Sequence, residues 1–121
     1  MTNLLEETKN VLEQHGLSFD DVEWVGFTDV DKEYFDEDEY QVEMCRCPKE
    51  KWENLLNVNY YSGFGLPEIK RNLVVVGDGW WLERAEYDGS EWWEFKKQPI
   101  KPMKELVCSV MTKWGGRTNE N

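Results

Sequence analysis

Histidine occurs once in this chain, cysteine three times and proline four times, and 14 bases face 25 acids. Each scarcity excludes something. The cysteines, Cys45, Cys47 and Cys108, are odd in number, so no disulfide framework is implied and a reducing, cytoplasmic setting is expected. Cys45 and Cys47 are too close for the usual Cys-x2-Cys zinc knuckle, and His15 alone cannot complete a second ligand pair. No metal and no cofactor are therefore expected. His15 falls at the end of a predicted helix with no nucleophile at a motif spacing, which suits a partner for the helix dipole better than a general base. No apolar run approaches the ~18 residues of a membrane span, and MTNLLEETKN lacks the basic and apolar segments of a secretory signal. The net charge of −11 opposes direct binding to nucleic acid, which rests on neutralised phosphates. It equally disfavours an anionic membrane surface.

What the chain does have is enough apolar material for a core. Its 121 residues are 40% apolar and 14% aromatic, a length typical of one domain. A single α+β domain over residues 1–116 and a flexible tail over 117–121 are expected. Asn3 followed by Glu6 fits a capping box, Leu4, Leu5, Thr8, Val11 and Leu12 recur at helical spacing, and Gly16 suits a helix stop, which together predict a helix over 3–15. VEWVGFT (22–28) reads as a strand. YQVEMCRC (40–47) alternates with the period of a half-buried strand, giving a hairpin with an acidic loop at its tip. Pro48 with Trp52, Leu55 and Leu56 predicts a helix over 48–57.

LVVV (73–76) is a continuous β-branched run suited to a central strand. WWLERAEY (80–87) and SEWWEFK (90–96) flank Asp88-Gly89, a strong hairpin signal, and GDG (77–79) supplies the preceding turn. Residues 73–96 should thus form a three-stranded antiparallel meander. Met103, Leu106, Val107, Val110, Met111 and Trp114 recur at i, i+3, i+4, i+7, i+8 and i+11, a helical face ended by Gly115-Gly116, although the β-branched content leaves a strand open. The resulting order is α-β-β-α-β-β-β-α, a mostly antiparallel sheet with helices on one face.

The charge is unevenly placed. Residues 1–44 hold 14 acids and two bases, whereas residues 45–121 hold 11 acids and 12 bases. The acids at 29–39 (Asp29, Asp31, Glu33, Asp36, Glu37, Asp38 and Glu39) are opposed only by Lys32. They form either a solvated, solubilising loop or a surface that docks on a basic partner, where a strong field raises the encounter rate. The alternation Asp29, Asp31, Glu33 matches the start of a calcium loop, but Tyr34 takes the glycine position and Tyr40 the bidentate glutamate position. GFG (63–65) lacks the ending of a phosphate loop. No catalytic set emerges, and a non-enzymatic protein is expected.

Seven tryptophans remain. Neighbours on a strand face opposite ways, so Trp80-Trp81 and Trp92-Trp93 each place one ring on either face of the sheet. One ring of each pair fills the core, and the other is covered or forms an aromatic binding patch. Arg84, near Glu91 or Glu94 across the hairpin, reads as a cross-strand ion-pair member.

The segment from Leu73 to Phe95 contains the string Trp81-Leu82-x-Arg84-x-Glu86-Tyr87-Asp88-Gly89-Ser90-Glu91-Trp92-Trp93. With its flanks, about residues 68–97 and roughly a quarter of the chain, it resembles small proteins of unknown function from phages and prophages of low-GC Gram-positive bacteria. The resemblance implies a phage or prophage origin and the cytoplasm of the infected bacterial host, and it transfers no catalytic residue. Small acidic phage proteins of this size include anti-CRISPR proteins. By that analogy the chain is a nucleic-acid mimic. It would inhibit a basic host nucleic-acid-binding protein, a CRISPR effector such as Cas9, through its acidic loop.

Overall fold

The computed structural model describes residues 1–29, 44–63 and 65–113. The elements run β1 (Thr2–Asn3), α1 (Leu4–Gln14), β2 (Val22–Phe27), β3 (Cys45–Cys47), α2 (Trp52–Leu56), β4 (Asn59–Tyr60), β5 (Leu73–Gly77), β6 (Trp80–Tyr87) and β7 (Ser90–Lys97). They make one small α+β domain with a five-stranded antiparallel sheet in the order β3-β2-β5-β6-β7 and a two-stranded ladder, β1-β4.

Helix α1 starts where the side chain of Asn3 accepts the amide of Glu6 at 3.0 Å, satisfying one of the free donors of the first turn. It ends before Gly16, whose φ is +70°. The reciprocal capping box lies one element later, where Ser18 and Asp21 cap the 3-10 turn Phe19–Asp21 that delivers the chain into β2. The helix expected over 48–57 divides into a 3-10 turn (Lys49–Lys51) and the short α2, whose Trp52 and Leu56 are buried. The loop before β5 contributes β4, which pairs with β1 through Thr2↔Tyr60 and Asn3↔Asn59.

The meander is as expected. β5 is central, and Asp88 and Gly89 join β6 to β7 with φ of +49° and +84°, the two positive values that a type I′ turn requires. Tyr87↔Ser90 closes that hairpin, and the register runs through Arg84↔Trp93 and Leu82↔Phe95 to Trp80↔Lys97. β2 lies antiparallel to both β5 and β3. It approaches β3 closely enough that a Cβ on Gly26 would stand 2.2 Å from the carbonyl oxygen of Cys45, so this position has room for glycine alone. Of the strand expected over 40–47, residues 45–47 are a strand and 40–43 lie outside the described residues.

Both helices pack on one face of the sheet. Leu4 and Leu12 of α1, Trp52 and Leu56 of α2, and Tyr60 of β4 meet Val22, Val25, Leu73, Val75, Trp80, Leu82 and Trp93 in one core. The core residues alternate along β5 and β6, as the pleat demands, and in β2 a register shift between Val22 and Trp24 lets Val22 and Val25 share the core. The opposite face carries Trp24, Val76, Trp81 and Lys96 in one cross-strand row, Val74, Glu83 and Glu94 in the next, and Ala85 beside Trp92. Among the described residues no helix covers that face.

The expected third helix is not formed. Residues 103–113 have no regular secondary structure and are exposed throughout, with Met103, Val107 and Val110 almost fully in solvent. An 11-residue helix is marginal in water unless its apolar face is packed, and here its apolar positions are exposed. Trp114 lies outside the described residues, as do residues 117–121 of the expected tail.

Candidate functional site

Three features hold the chemistry of this molecule: its acidic N-terminal third, its sorted aromatic residues and a charged cluster inside the fold. In the acidic third, Asp29 is exposed just after β2, whereas Asp31, Glu33, Asp36, Glu37, Asp38 and Glu39 lie outside the described residues. Glu6, Glu13, Asp20, Asp21 and Glu23 are also exposed on the N-terminal third, with Lys9 the sole lysine or arginine among residues 1–29. Between α1 and the turn before β2 lies a cleft of about 400 Å³. Leu12, Leu17 and Phe19 supply its apolar lining and Glu13 and Asp20 its carboxylates, with Lys9 beside them.

The four hairpin tryptophans divide as the strand alternation predicts. Trp80 and Trp93 are buried in the core. Trp80 stacks on Phe95 with ring centroids 5.8 Å apart, and His15, at the C-cap of α1, also stacks on Phe95, at 3.8 Å. Trp81 and Trp92 lie on the opposite, helix-free face. Trp92 is 41% exposed, and Trp81 donates its indole N–H to Glu83 Oε1 at 3.2 Å. The helix-free face therefore carries Trp81, with Trp24 in its cross-strand row, and Trp92 two rows away beyond the Glu83–Glu94 pair; Trp80 and Trp93 belong to the core.

The cluster inside the fold is centred on Arg84. Its Nη2 donates to Glu91 Oε1 and to the Tyr60 hydroxyl oxygen, each at 3.1 Å, and its Nη1 to Glu7 Oε1 at 3.3 Å. Its guanidinium lies over the rings of Trp93 (4.8 Å) and Tyr60 (5.3 Å), a favourable placement over the negative ring faces. Tyr60 donates its hydroxyl proton to Glu7 Oε2. Glu7 Oε1 also accepts the amide of Trp93 at 3.2 Å, and Glu91 accepts the amides of Glu68 and Ile69 at 2.8 and 3.3 Å. Arg84 Nε is buried without a hydrogen-bond partner. Burial and the hydrogen bond to Glu7 push the Tyr60 phenol up to about 12, against the opposing pull of Arg84. Trp93 closes the cluster by donating its indole N–H to Thr8 Oγ1 at 2.8 Å.

This arrangement ties α1, β4, the loop at 68–69, β6 and β7 together, its polar atoms bonded to one another. The Arg84–Glu91 pair is the expected cross-strand ion pair; Glu94 points to the other face, where it meets Lys96 at 3.5 Å. The part played by Glu7, 77 positions away from Arg84, has no local sequence signal. Cys47 packs against the core. Its thiol is pushed up by burial, then by Glu50 and Cys45, with Lys51 opposing.

No protein-family model, curated protein or solved structure matches this chain.

Proposed function

We propose that this chain is a non-catalytic binding protein whose acidic side docks on a basic, nucleic-acid-handling protein. On the resemblance carried by Trp81 to Trp93, that role is a phage-encoded inhibitor of a host defence nuclease of the anti-CRISPR kind. One observation carries the reading. The whole charge excess of the molecule lies in residues 1–44, and residues 45–121 are close to balanced. A groove that binds nucleic acid presents lysines and arginines at phosphate spacing, and a folded surface of carboxylates can occupy it without any chemistry. The cleft beside α1 supports this reading, because an apolar floor with Glu13 and Asp20 suits the aliphatic stem and charged head of a lysine or arginine.

A second reading is favoured by the exposure of Trp92 on the face that also carries Trp81. In it the chain is an accessory module that docks through its helix-free sheet face and has no connection with defence. Tryptophans are frequent interface anchors.

The test is inhibition of DNA cleavage by guide-loaded Cas9-type effectors, with DNA added before or after the protein. The proposal expects inhibition only when the protein precedes the DNA, because both compete for one groove. Inhibition independent of the order of addition overturns the mimic. Uninhibited cleavage across a panel of such effectors overturns the assignment to this class of partner.

A further inference from the structure

Three of the chain's seven sulfur-bearing side chains fall within four residues, as Met44, Cys45 and Cys47. The fold gives the two thiols a common direction. Cys45 and Cys47 are the first and last residues of β3, and alternate positions of a strand share a face. Their partners across the ladder are Phe27 and Val25, so both thiols lie on the core side of the sheet, at its rim. Cys45 is exposed, Cys47 is half-buried, and both are free. They stand close enough that Cys45, after burial and Glu50, is one of the groups that push up the Cys47 thiol. Arg46, between them, pairs with Gly26 and faces the other way.

We propose that Cys45 and Cys47 form a binding site for a soft monovalent cation, Cu(I), held between their two sulfurs. Ligand number and softness select this ion. Structural zinc asks for four ligands, and among the described residues no third His, Cys, Asp or Glu joins the pair. Cu(I) is satisfied by two thiolates in line, and soft sulfur donors select it. The adjacent Met44, 65% exposed, adds a thioether, a donor that suits the same ion.

Strand geometry fits the ion and disfavours a disulfide between the same two residues. Residues two apart on a strand have Cα atoms about 6.6 Å apart, at the upper end of the range of about 4.4–6.8 Å that a disulfide spans. Metal–thiolate bonds of about 2.3 Å each place the sulfurs about 4.6 Å apart, so each thiol leans only about 1 Å toward the other. The ladder with β2 holds β3 extended. The Trp52 indole N–H donates to the Cys47 carbonyl oxygen at 3.0 Å and fixes the chain where it leaves the strand. Binding releases both thiol protons, and two thiolates with one Cu(I) carry a single negative charge. Lys51 acts on Cys47 in the sense that favours its thiolate. The ion enters from the exposed side, at Cys45.

The test is an anaerobic titration of the reduced chain with Cu(I) presented as its bicinchoninate complex, followed by the loss of that complex's visible absorbance. The unaltered chain should take one Cu(I). Loss of a ligand should exceed the loss of about 10–100-fold in affinity that an outer-shell change causes, so Cys45→Ser and Cys47→Ala should each lose more than about 100-fold and Cys108→Ser nothing. No transfer of Cu(I), full affinity in either of the first two variants, or one ion shared by two chains overturns the proposal. Alkylation of the unaltered chain keeps the test independent of how the variants fold. Cu(I) should shield Cys45 and Cys47, but not Cys108, from iodoacetamide, as read by peptide mapping, and Zn(II) at the same concentration should shield none of them. Unshielded Cys45 and Cys47, equal shielding of Cys108, or shielding by Zn(II) as strong as by Cu(I) overturns the proposal.

Discussion

Replacing Arg84 by methionine perturbs the most heavily connected side chain in the interior. The guanidinium side chain is 1% exposed, and it stands between Glu91, 5% exposed, and Glu7, 16% exposed. Methionine keeps most of the volume and the contact with the Trp93 and Tyr60 rings, so the loss is one of charge rather than packing. Two carboxylates are then left close together with no cation between them. Breaking a buried pair in this way costs about 3–5 kcal/mol. Glu91→Gln removes charge from the other side. It leaves Arg84 with Glu7, and the one amide oxygen replaces one of the two carboxylate oxygens that accept from Glu68 and Ile69, so one of those two hydrogen bonds is lost. That substitution should cost only about 1–2 kcal/mol. The order of the two effects follows from the composition of the cluster, one cation against two anions. Urea unfolding followed by tryptophan fluorescence measures both. At a slope of about 1–3 kcal/mol per molar, Arg84→Met should lower the midpoint by about 2 M. The triple variant Glu7→Gln/Arg84→Met/Glu91→Gln should regain part of that loss, because no uncompensated charge remains. A midpoint for Arg84→Met within experimental error of the unaltered chain, or a greater loss for Glu91→Gln, would refute the reasoning.

Other outcomes follow from the same geometry. Gly89→Val places a β-branched residue at φ +84° and should cost about 1–3 kcal/mol, seen as a lower melting temperature. The Tyr60 phenol, raised to about 12, should ionise last when phenolate absorbance is followed through an alkaline titration. Its contribution to stability is intact below the unfolded value of about 10 and is lost as pH rises from there to about 12, because the unfolded chain ionises first. Denaturant midpoints measured across that window should fall accordingly, and those of Tyr60→Phe should fall less. Cys47, whose thiol is pushed up and half-buried, should react with iodoacetamide more slowly than the exposed Cys45 and Cys108, as peptide mapping would show.

Where the fold was legible in the sequence, the signal was local. Asn3, the apolar period and Gly16 bracket α1 within a residue or two. Asp88-Gly89 between two β-branched and aromatic runs determines the hairpin, because the turn type allows one register and the pleat then sorts Trp80 from Trp81 and Trp92 from Trp93. What was not legible depends on contacts distant in sequence. The β1-β4 ladder is two residues long and exists because Thr2 meets Tyr60, and Glu7 reaches Arg84 across most of the chain. Residues 103–114 carry the clearest helical period in the sequence, but periodicity reports a face that is able to pack, and over the described residues 103–113 nothing packs on it. Of the acidic residues singled out, Asp29 alone is among the described residues; its neighbours are identified by charge density, a property that sequence displays without any fold.

The account turns on whether the acidic side or the aromatic face makes the contact with a partner. The most direct measurement is the association rate with a Cas9-type effector at low and high salt, for three forms of the chain. These are the unaltered protein, a form with Asp29, Asp31, Asp36, Glu37, Asp38 and Glu39 replaced by serine, and Trp81→Ser/Trp92→Ser. Electrostatic steering predicts a fast rate that falls steeply with salt. It also predicts a much slower, nearly salt-independent rate for the serine form at an unchanged melting temperature, and an almost normal rate for the tryptophan variant. Full association by the serine form together with loss of binding in Trp81→Ser/Trp92→Ser would contradict the account and assign the contact to the sheet face.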